Sequence, residues 1–368
     1  LFLIVQIMLF VFWACSACLL LYWMWFALAL IRLRHSGSTP PTEWPGVSVI
    51  ICFKNEQIHL RETLTAILTQ DYPKFEVVAM DDYSEDHSKD IVIEMQDQRI
   101  RYLHAKRNAP GKKAALSEAI RNAKYPLCLL TDADCRPASN RWIRSMVRSY
   151  LERPGTEIVL GIAPTSQQPG ILNMFQRYET TLTAIQYISY ARAGIPYMGV
   201  GRNLLYLRKL FLDKGFASDA TSVISGDDDL FVQFAANKKN TAINTDPEAF
   251  VYSPGKADLF SFLRQKSRHV STSVYYSHLH KILLGMFSFI QLAWFIFLVL
   301  LIMSDILTGF QALIILVLKW LVQMTLFIPA SRVLKTRKML VFFPLLDLCM
   351  MAYYIVMPWT LFKTRKQW

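Results

Sequence analysis

The pattern of apolar and polar positions divides the chain into three regions. Residues 1–31 are almost uninterrupted apolar sequence containing Trp13, Trp23 and Trp25. The run exceeds the ~20 residues a helix needs to cross a bilayer and predicts a spanning helix. A cleaved signal peptide is the alternative, but this run is longer than the ~7–15-residue apolar core of such signals and carries no convincing small-residue cleavage site. Near the other end, residues 282–303, 306–328 and 340–362 are again apolar, the last interrupted by Pro344, Asp347 and Pro358. One helix before a central domain and about three after it are therefore expected, spanning 1–31 and 282–362. Arg32 and Arg34 follow the first segment, and Arg332, Lys335, Arg337 and Lys338 lie between the last two. Positive-inside logic then puts the central domain in the cytosol of a multi-pass cell-membrane protein. If all three late segments span, Lys363, Arg365 and Lys366 fall on the opposite side, so a re-entrant or interfacial course for the proline-broken last segment stays open.

Between these regions the periodicity changes. A linker over 35–46, rich in Pro, Ser, Gly and Thr, opens a domain expected over 47–273. Short apolar runs predict strands over 47–53, 75–80, 100–105 and 127–131. Amphipathic stretches predict helices over 58–70, 84–96, 112–123 and 142–151. Such β-α-β alternation forces a mostly parallel sheet covered by helices, which binds ligands beyond the carboxyl ends of its strands. Residues 171–193 carry apolar positions at helical spacing and read either as a helix lying on the membrane surface or as a core helix.

Composition agrees with a membrane component: 53% of the 368 residues are apolar and the mean hydropathy is +0.25. A net charge of +12 suits a protein that lies against anionic lipid and handles a diphosphate. The charge is spread along the chain rather than gathered in a stripe, which argues against nucleic acid. The six cysteines are scattered, and neither a disulfide nor a zinc site is expected.

Candidate chemistry falls where the sheet would place it. Asp132 and Asp134 end an apolar strand, two residues apart, so in extended backbone both carboxylates project into one crevice. Two hard oxygen ligands suit Mg²⁺ or Mn²⁺ bridging to a diphosphate, although a polar turn explains the same residues. Asp81 and Asp82 follow another strand. One of them, or Ser84, is expected to cap the next helix, while a carboxylate at that position also accepts hydrogen bonds from a base imide or ribose. Lys112, after Gly111, opens a helix whose N-terminus attracts phosphate, and a solvated basic face explains the same lysine equally well. Asp227, Asp228 and Asp229 precede a helix expected over 230–237; capping needs one carboxylate, and another fits a general base on an acceptor hydroxyl. Gln265, Arg268 and His269 form a basic face just before the membrane segments, with Arg268 suited to phosphate.

The order Lys54-Asn55-Glu56, Asp81-Asp82, Asp132-Ala133-Asp134, Gly226-Asp227-Asp228-Asp229, Gln265-x-x-Arg268-His269, then membrane helices, resembles the membrane-bound glycosyltransferases of family two. That group has a GT-A catalytic domain and includes cellulose, chitin and hyaluronan synthases and ceramide glucosyltransferase. The resemblance implies an α/β, Rossmann-like GT-A nucleotide-sugar transferase domain with flanking transmembrane helices. It implies that Asp81, with Glu56 and Asp82 nearby, reads the nucleotide, that Lys112 and Asp132 bind the donor, and that Asp134 with Asp132 holds the divalent cation. Asp228 would be the base, with Asp227 its nearest rival, and Gln265, Arg268 and His269 would lie near diphosphate and acceptor. The loop from Tyr197 to Asn203 corresponds to a glycine-containing acceptor-side loop. The family usually has Trp where this chain has His269.

Three functions compete: transfer of one sugar from a nucleotide-sugar, a UDP-sugar for preference, to a membrane lipid; processive extension and export of a glycan; and a membrane scaffold without catalysis. The filled acidic positions argue against the scaffold. About four spanning segments and His269 favour the lipid acceptor over a translocating channel.

Overall fold

The computed structural model describes residues 2–31, 43–105, 111–215, 226 and 228–363. Arg32, Arg34, Asp227, Arg365 and Lys366, singled out above, lie outside the described residues. The chain divides into two compact units, one of residues 1–33 and 260–367, the other of residues 34–259.

The second unit begins as the periodicity predicts. Strand β1 (Val47–Phe53) is followed by α2 (Leu60–Leu68), β2 (Phe75–Asp81), α3 (Ser88–Glu94), β3 (Ile100–His104), α4 (Lys112–Asn122), β4 (Leu127–Asp132), the short β5 (Arg136–Pro137) and α5 (Trp142–Leu151); α1 (Phe2–Ile31) belongs to the first unit. Next come β6 (Ile158–Leu160), α6 (Ile171–Arg192), β7 (Leu204–Leu207), α7 (Arg208–Lys214), α8 (Asp229–Ala235), β8 (Thr241–Ile243) and β9 (Val251–Tyr252). Seven strands form one sheet in the order β3-β2-β1-β4-β7-β6-β8, and β5 pairs with β9 in a separate ribbon. The first four strands run parallel, whereas β7 is antiparallel to both β4 and β6. The sheet is therefore mixed on the β7 side.

β1 and β2 are apolar at nearly every position because helices cover both faces, as parallel strands require; Val47, Val49, Ile51, Val77 and Ala79 are fully buried. The helix expected from residue 84 starts only at Ser88, and neither Ser84 nor an aspartate of the Asp81-Asp82 pair caps it; the residue before it, His87, makes no side-chain capping bond. Those groups are spent on joining two loops. The Asn55 amide donates to Ser84 Oγ at 3.0 Å, the Glu85 amide to Asn55 Oδ1 at 2.8 Å, and Asp81 Oδ1 accepts from the Ser84 amide at 2.8 Å. Helix α6 is a core helix: Tyr178, Tyr187 and Tyr190 along it are almost wholly buried, and the Tyr187 hydroxyl donates to the Gly161 carbonyl at 2.8 Å.

The first unit holds α1 with α9 (Leu259–Thr272), α10 (His278–Met303), α11 (Gly309–Val333) and α12 (Phe343–Lys363). Among the described residues, four helical stretches are long and apolar enough to cross a membrane: Phe2–Ile31, His278–Met303, Gly309–Val333 and Arg337–Trp359. The proline-broken segment is helical throughout: a 3-10 turn, Arg337–Phe342, leads into α12, and Pro344 falls in its first turn, where a missing N–H breaks no helical bond. Trp23 packs edge-on against Phe287, Phe327 and Phe343 from three other helices. One turn from each of these phenylalanines, after Phe287 and Phe343 and before Phe327, the character changes to polar, at Gln291, Asp347 and Gln323. There Lys319 Nζ donates to Asp347 Oδ2 at 2.6 Å, both side chains being buried, and the Trp320 indole donates to the same oxygen at 3.0 Å.

Candidate active site

The Asp132-Ala133-Asp134 segment is held differently from the extended geometry expected of it. Strand β4 ends at Asp132 and the chain turns, the Cys135 amide donating to the Asp132 carbonyl at 3.2 Å. The carboxylates converge through this turn rather than through the strand pleat. One ligand atom each from Asp132, Asp134 and Cys135 lies within 4.8 Å of the others. Thr63 on α2 fixes the turn by donating its hydroxyl to the Ala133 carbonyl at 2.7 Å, wholly within the interior.

Lys112, the first residue of α4, donates from Nζ to Asp132 Oδ1 at 3.0 Å, which ties the phosphate-side helix to the carboxylate turn. Glu56 follows β1 and faces the same turn. Its carboxyl is raised above the usual range, first by burial and then by the Asp134 carboxylate, against a smaller opposing pull from His59 and Lys256. Burial pushes the Cys135 thiol well up, helped by both aspartates. It stays a thiol and donates to Asp134 Oδ1 at 3.3 Å. The donor set therefore fits a hard divalent cation held by Asp132 and Asp134 better than a soft metal that needs a thiolate.

Asp81 is buried at the end of β2, accepting from the Ser84 amide and from the Tyr102 hydroxyl at 2.9 Å. A carboxylate offers about four acceptor positions, so this frame orients Asp81 while leaving it able to accept from a ligand. Asp82 Oδ1 accepts from the Gly111 amide at 3.3 Å, which links it to the start of α4.

Asp228 stands directly before α8 and caps it, accepting from the Asp229 amide at 2.9 Å. Its other oxygen accepts from the Gly201 amide at 2.5 Å. Capping and the proposed chemical role thus fall on one residue, with each oxygen engaged by a backbone N–H. Gly201 is required by proximity: a Cβ there would lie 3.1 Å from Asp228 Oδ2. Asp229 is buried and bonds the Leu230 amide. Asp227 lies outside the described residues.

The loop leading to β7 is anchored by Asn203, which is fully buried. Its amide donates to the Ile162 and Ala249 carbonyls at 2.9 and 2.7 Å and accepts from the Trp142 indole at 2.9 Å. Arg202 beside it donates to Ser253 Oγ. A cleft of about 450 Å³ flanks Asp134 and is lined by His59, Thr63, Arg136, Gln168 and Tyr252 among others. Sequence reasoning did not single out Cys135, Ser253 or Lys256, and it gave Arg202 no role of its own. Cys135 adjoins the aspartates and was in plain view, whereas the others reach the site through strand pairings that short strands do not advertise. Gln265, Arg268 and His269 lie on α9, in the helical unit, with Arg268 and His269 exposed.

The mixed sheet, with carboxylates at or just beyond the ends of three parallel strands, has the GT-A fold. The chain matches the solved structure of the mannosyltransferase PcManGT from Pyrobaculum calidifontis, in complex with GDP-Man and Mn²⁺, over 98% of its own length and 99% of that chain, with a TM-score of 0.65 and 19% identity. Residues 48–213 match the model for Glycosyl transferase family 2, and the chain accordingly carries a family 2 glycosyltransferase domain. It is 25% identical over 153 residues to a poly-beta-1,6-N-acetyl-D-glucosamine synthase of Staphylococcus epidermidis, covering 41% of this chain and 35% of that one. It is 22% identical over 242 residues to the synthase of the same name from Staphylococcus aureus, covering 64% and 58%. The chain thus spans about a third and somewhat over half of these relatives' lengths.

Proposed function

We propose that the protein transfers a sugar from a nucleotide-sugar to a hydroxyl of a membrane lipid, with inversion at the anomeric carbon. The observation that carries this reading is the joint presence of the Asp132–Asp134 turn at the end of β4 and of Asp228, held by the Gly201 amide, at the start of α8. In this mechanism Asp81 and Asp82 receive the nucleoside, and Lys112 and the N-terminus of α4 attract its phosphates. Asp132 and Asp134 would hold a Mg²⁺ or Mn²⁺ ion, which supplies charge neutralisation for the departing diphosphate. Asp228 takes the proton from the acceptor hydroxyl as that oxygen attacks the anomeric carbon from the face opposite the diphosphate. The framing bonds from Gly201 and Asp229 aim its carboxylate, and Asp227 is the rival for the same role.

The lipid acceptor is favoured by four helices of membrane-spanning length and by the basic set Gln265, Arg268 and His269 on α9 next to them in sequence. A second reading, processive synthesis of a glycan, draws support from the relatives, which are polysaccharide synthases by name. Product chemistry separates the two. Detergent-purified protein is given Mn²⁺, membrane lipid extract and labelled UDP-glucose, UDP-N-acetylglucosamine, UDP-galactose or GDP-mannose. Label in an organic-soluble product supports the lipid acceptor; label in high-mass insoluble material overturns it in favour of the polymer.

A further inference from the structure

Two strand pairings end near Arg202 and its partner. Arg202 lies in the 3-10 turn Gly201–Asn203 that leads into β7, and Leu204, the first residue of β7, stands opposite Leu130, two residues before Asp132 on β4. In the β5–β9 ribbon Arg136, the residue after Cys135, stands opposite Tyr252, and Ser253 follows directly after Tyr252. The Arg202 guanidinium donates to Ser253 Oγ, and Ser253 is buried. The side chain is therefore held at both ends: its backbone lies in the turn that enters β7 beside β4, and its guanidinium is tied to a buried serine next to the β5–β9 ribbon.

The backbone at this point is rigid. On one side, Asn203 is locked by its three buried hydrogen bonds, and Gly161 leaves no room for it to move, since a Cβ on Gly161 would come within 2.4 Å of the Asn203 side chain. On the other side, the Gly201 amide holds Asp228. Arg202 thus sits in a frame shared by the carboxylate turn and the proposed base. The Arg202 charge also acts on Cys135 at the end of the carboxylate turn, and a cation beside that turn has an electrostatic use when a further anion enters. Ser253 engages one guanidinium nitrogen, and the guanidinium carries N–H donors on two others in a geometry that matches phosphate.

We propose that Arg202 is a phosphate-binding residue of this site, its guanidinium holding an oxygen of the terminal phosphate of a nucleoside diphosphate. The proposal rests on the sugar-transfer reading above and gives the glycine-containing loop a donor-side role. It is tested by calorimetric titration of UDP, GDP and UMP into the detergent-purified full chain in the presence of Mn²⁺. Whichever diphosphate the wild type binds, Arg202→Met weakens it tenfold or more and leaves UMP affinity unchanged. Arg202→Lys, which keeps the charge and loses the planar fork, falls between, and Ser253→Ala, which frees the guanidinium, gives a smaller loss of the same kind. Diphosphate affinity unchanged in Arg202→Met overturns the proposal. So does equal weakening of UDP and UMP, the mark of a site merely disturbed. A wild type that binds neither UDP nor GDP removes the sugar-transfer reading itself, which is a different failure.

Discussion

At the residue scale, Asp134 and Gly201 make opposite predictions. Asp134→Ala removes one of the two carboxylates proposed to hold the cation, so Mn²⁺-dependent tightening of nucleoside diphosphate binding is expected to be lost; titration with and without Mn²⁺ checks this, and full retention of the metal effect argues against the assignment. Gly201→Ala leaves those ligands intact and presses a methyl group on Asp228. Turnover is expected to fall by up to about tenfold, because the carboxylate must shift by a few tenths of an ångström and a full ångström costs about 10²-fold, with nucleotide binding unchanged. Most of these residues were legible in the sequence because they follow strands: Glu56, Asp81, Asp132 and Asp134 all stand at carboxyl ends. Asp228 was legible as one of three aspartates before a helix. What stayed hidden was the company they keep. Ser253 and Lys256 come from after β9 and Arg202 from before β7, and it takes the β4–β7 and β5–β9 pairings to bring Arg202 and Ser253 towards the carboxylate turn.

At the element scale, the first four strands and the helices between them follow directly from apolar periodicity, with ends displaced by a few residues. The correction at α3 has a physical cause: the polar residues expected to cap it hydrogen-bond the loop after β1 instead. The later strands, two to four residues each, are too short to show a period of two, so the antiparallel β7 was not foreseen. Its anchorage can be measured. Asn203→Ala leaves two buried carbonyls and the Trp142 indole without their partner, each worth about 1–3 kcal/mol. A marked drop in the thermal unfolding midpoint of the purified protein is expected. A midpoint within error of wild type contradicts the anchoring role of this loop.

For the whole molecule, the segments of membrane-spanning length were plain in the sequence, but the company of Asp347 was not. A carboxylate inside an apolar helix reads as an interruption until Lys319 is seen beside it. Removing one partner strands a buried charge, so Lys319→Met is expected to lower the thermal midpoint in detergent by the equivalent of about 3–5 kcal/mol. The double variant Lys319→Met with Asp347→Leu is expected to recover most of that loss, because the apolar pair leaves no charge unpaired. No recovery in the double variant means that the pair does not act as a unit.

The central claim is that the chain catalyses sugar transfer with Asp228 as its base. The most direct measurement compares wild type, Asp228→Asn and Asp227→Asn for movement of label from nucleotide-sugar to acceptor, alongside diphosphate binding in each. The account predicts transfer by wild type and by Asp227→Asn, and a loss of about 10²–10⁴-fold in Asp228→Asn, the scale of general-base catalysis, with diphosphate binding preserved in all three. Transfer by Asp228→Asn at the wild-type rate, or no transfer of any donor sugar by folded wild-type protein, would contradict it.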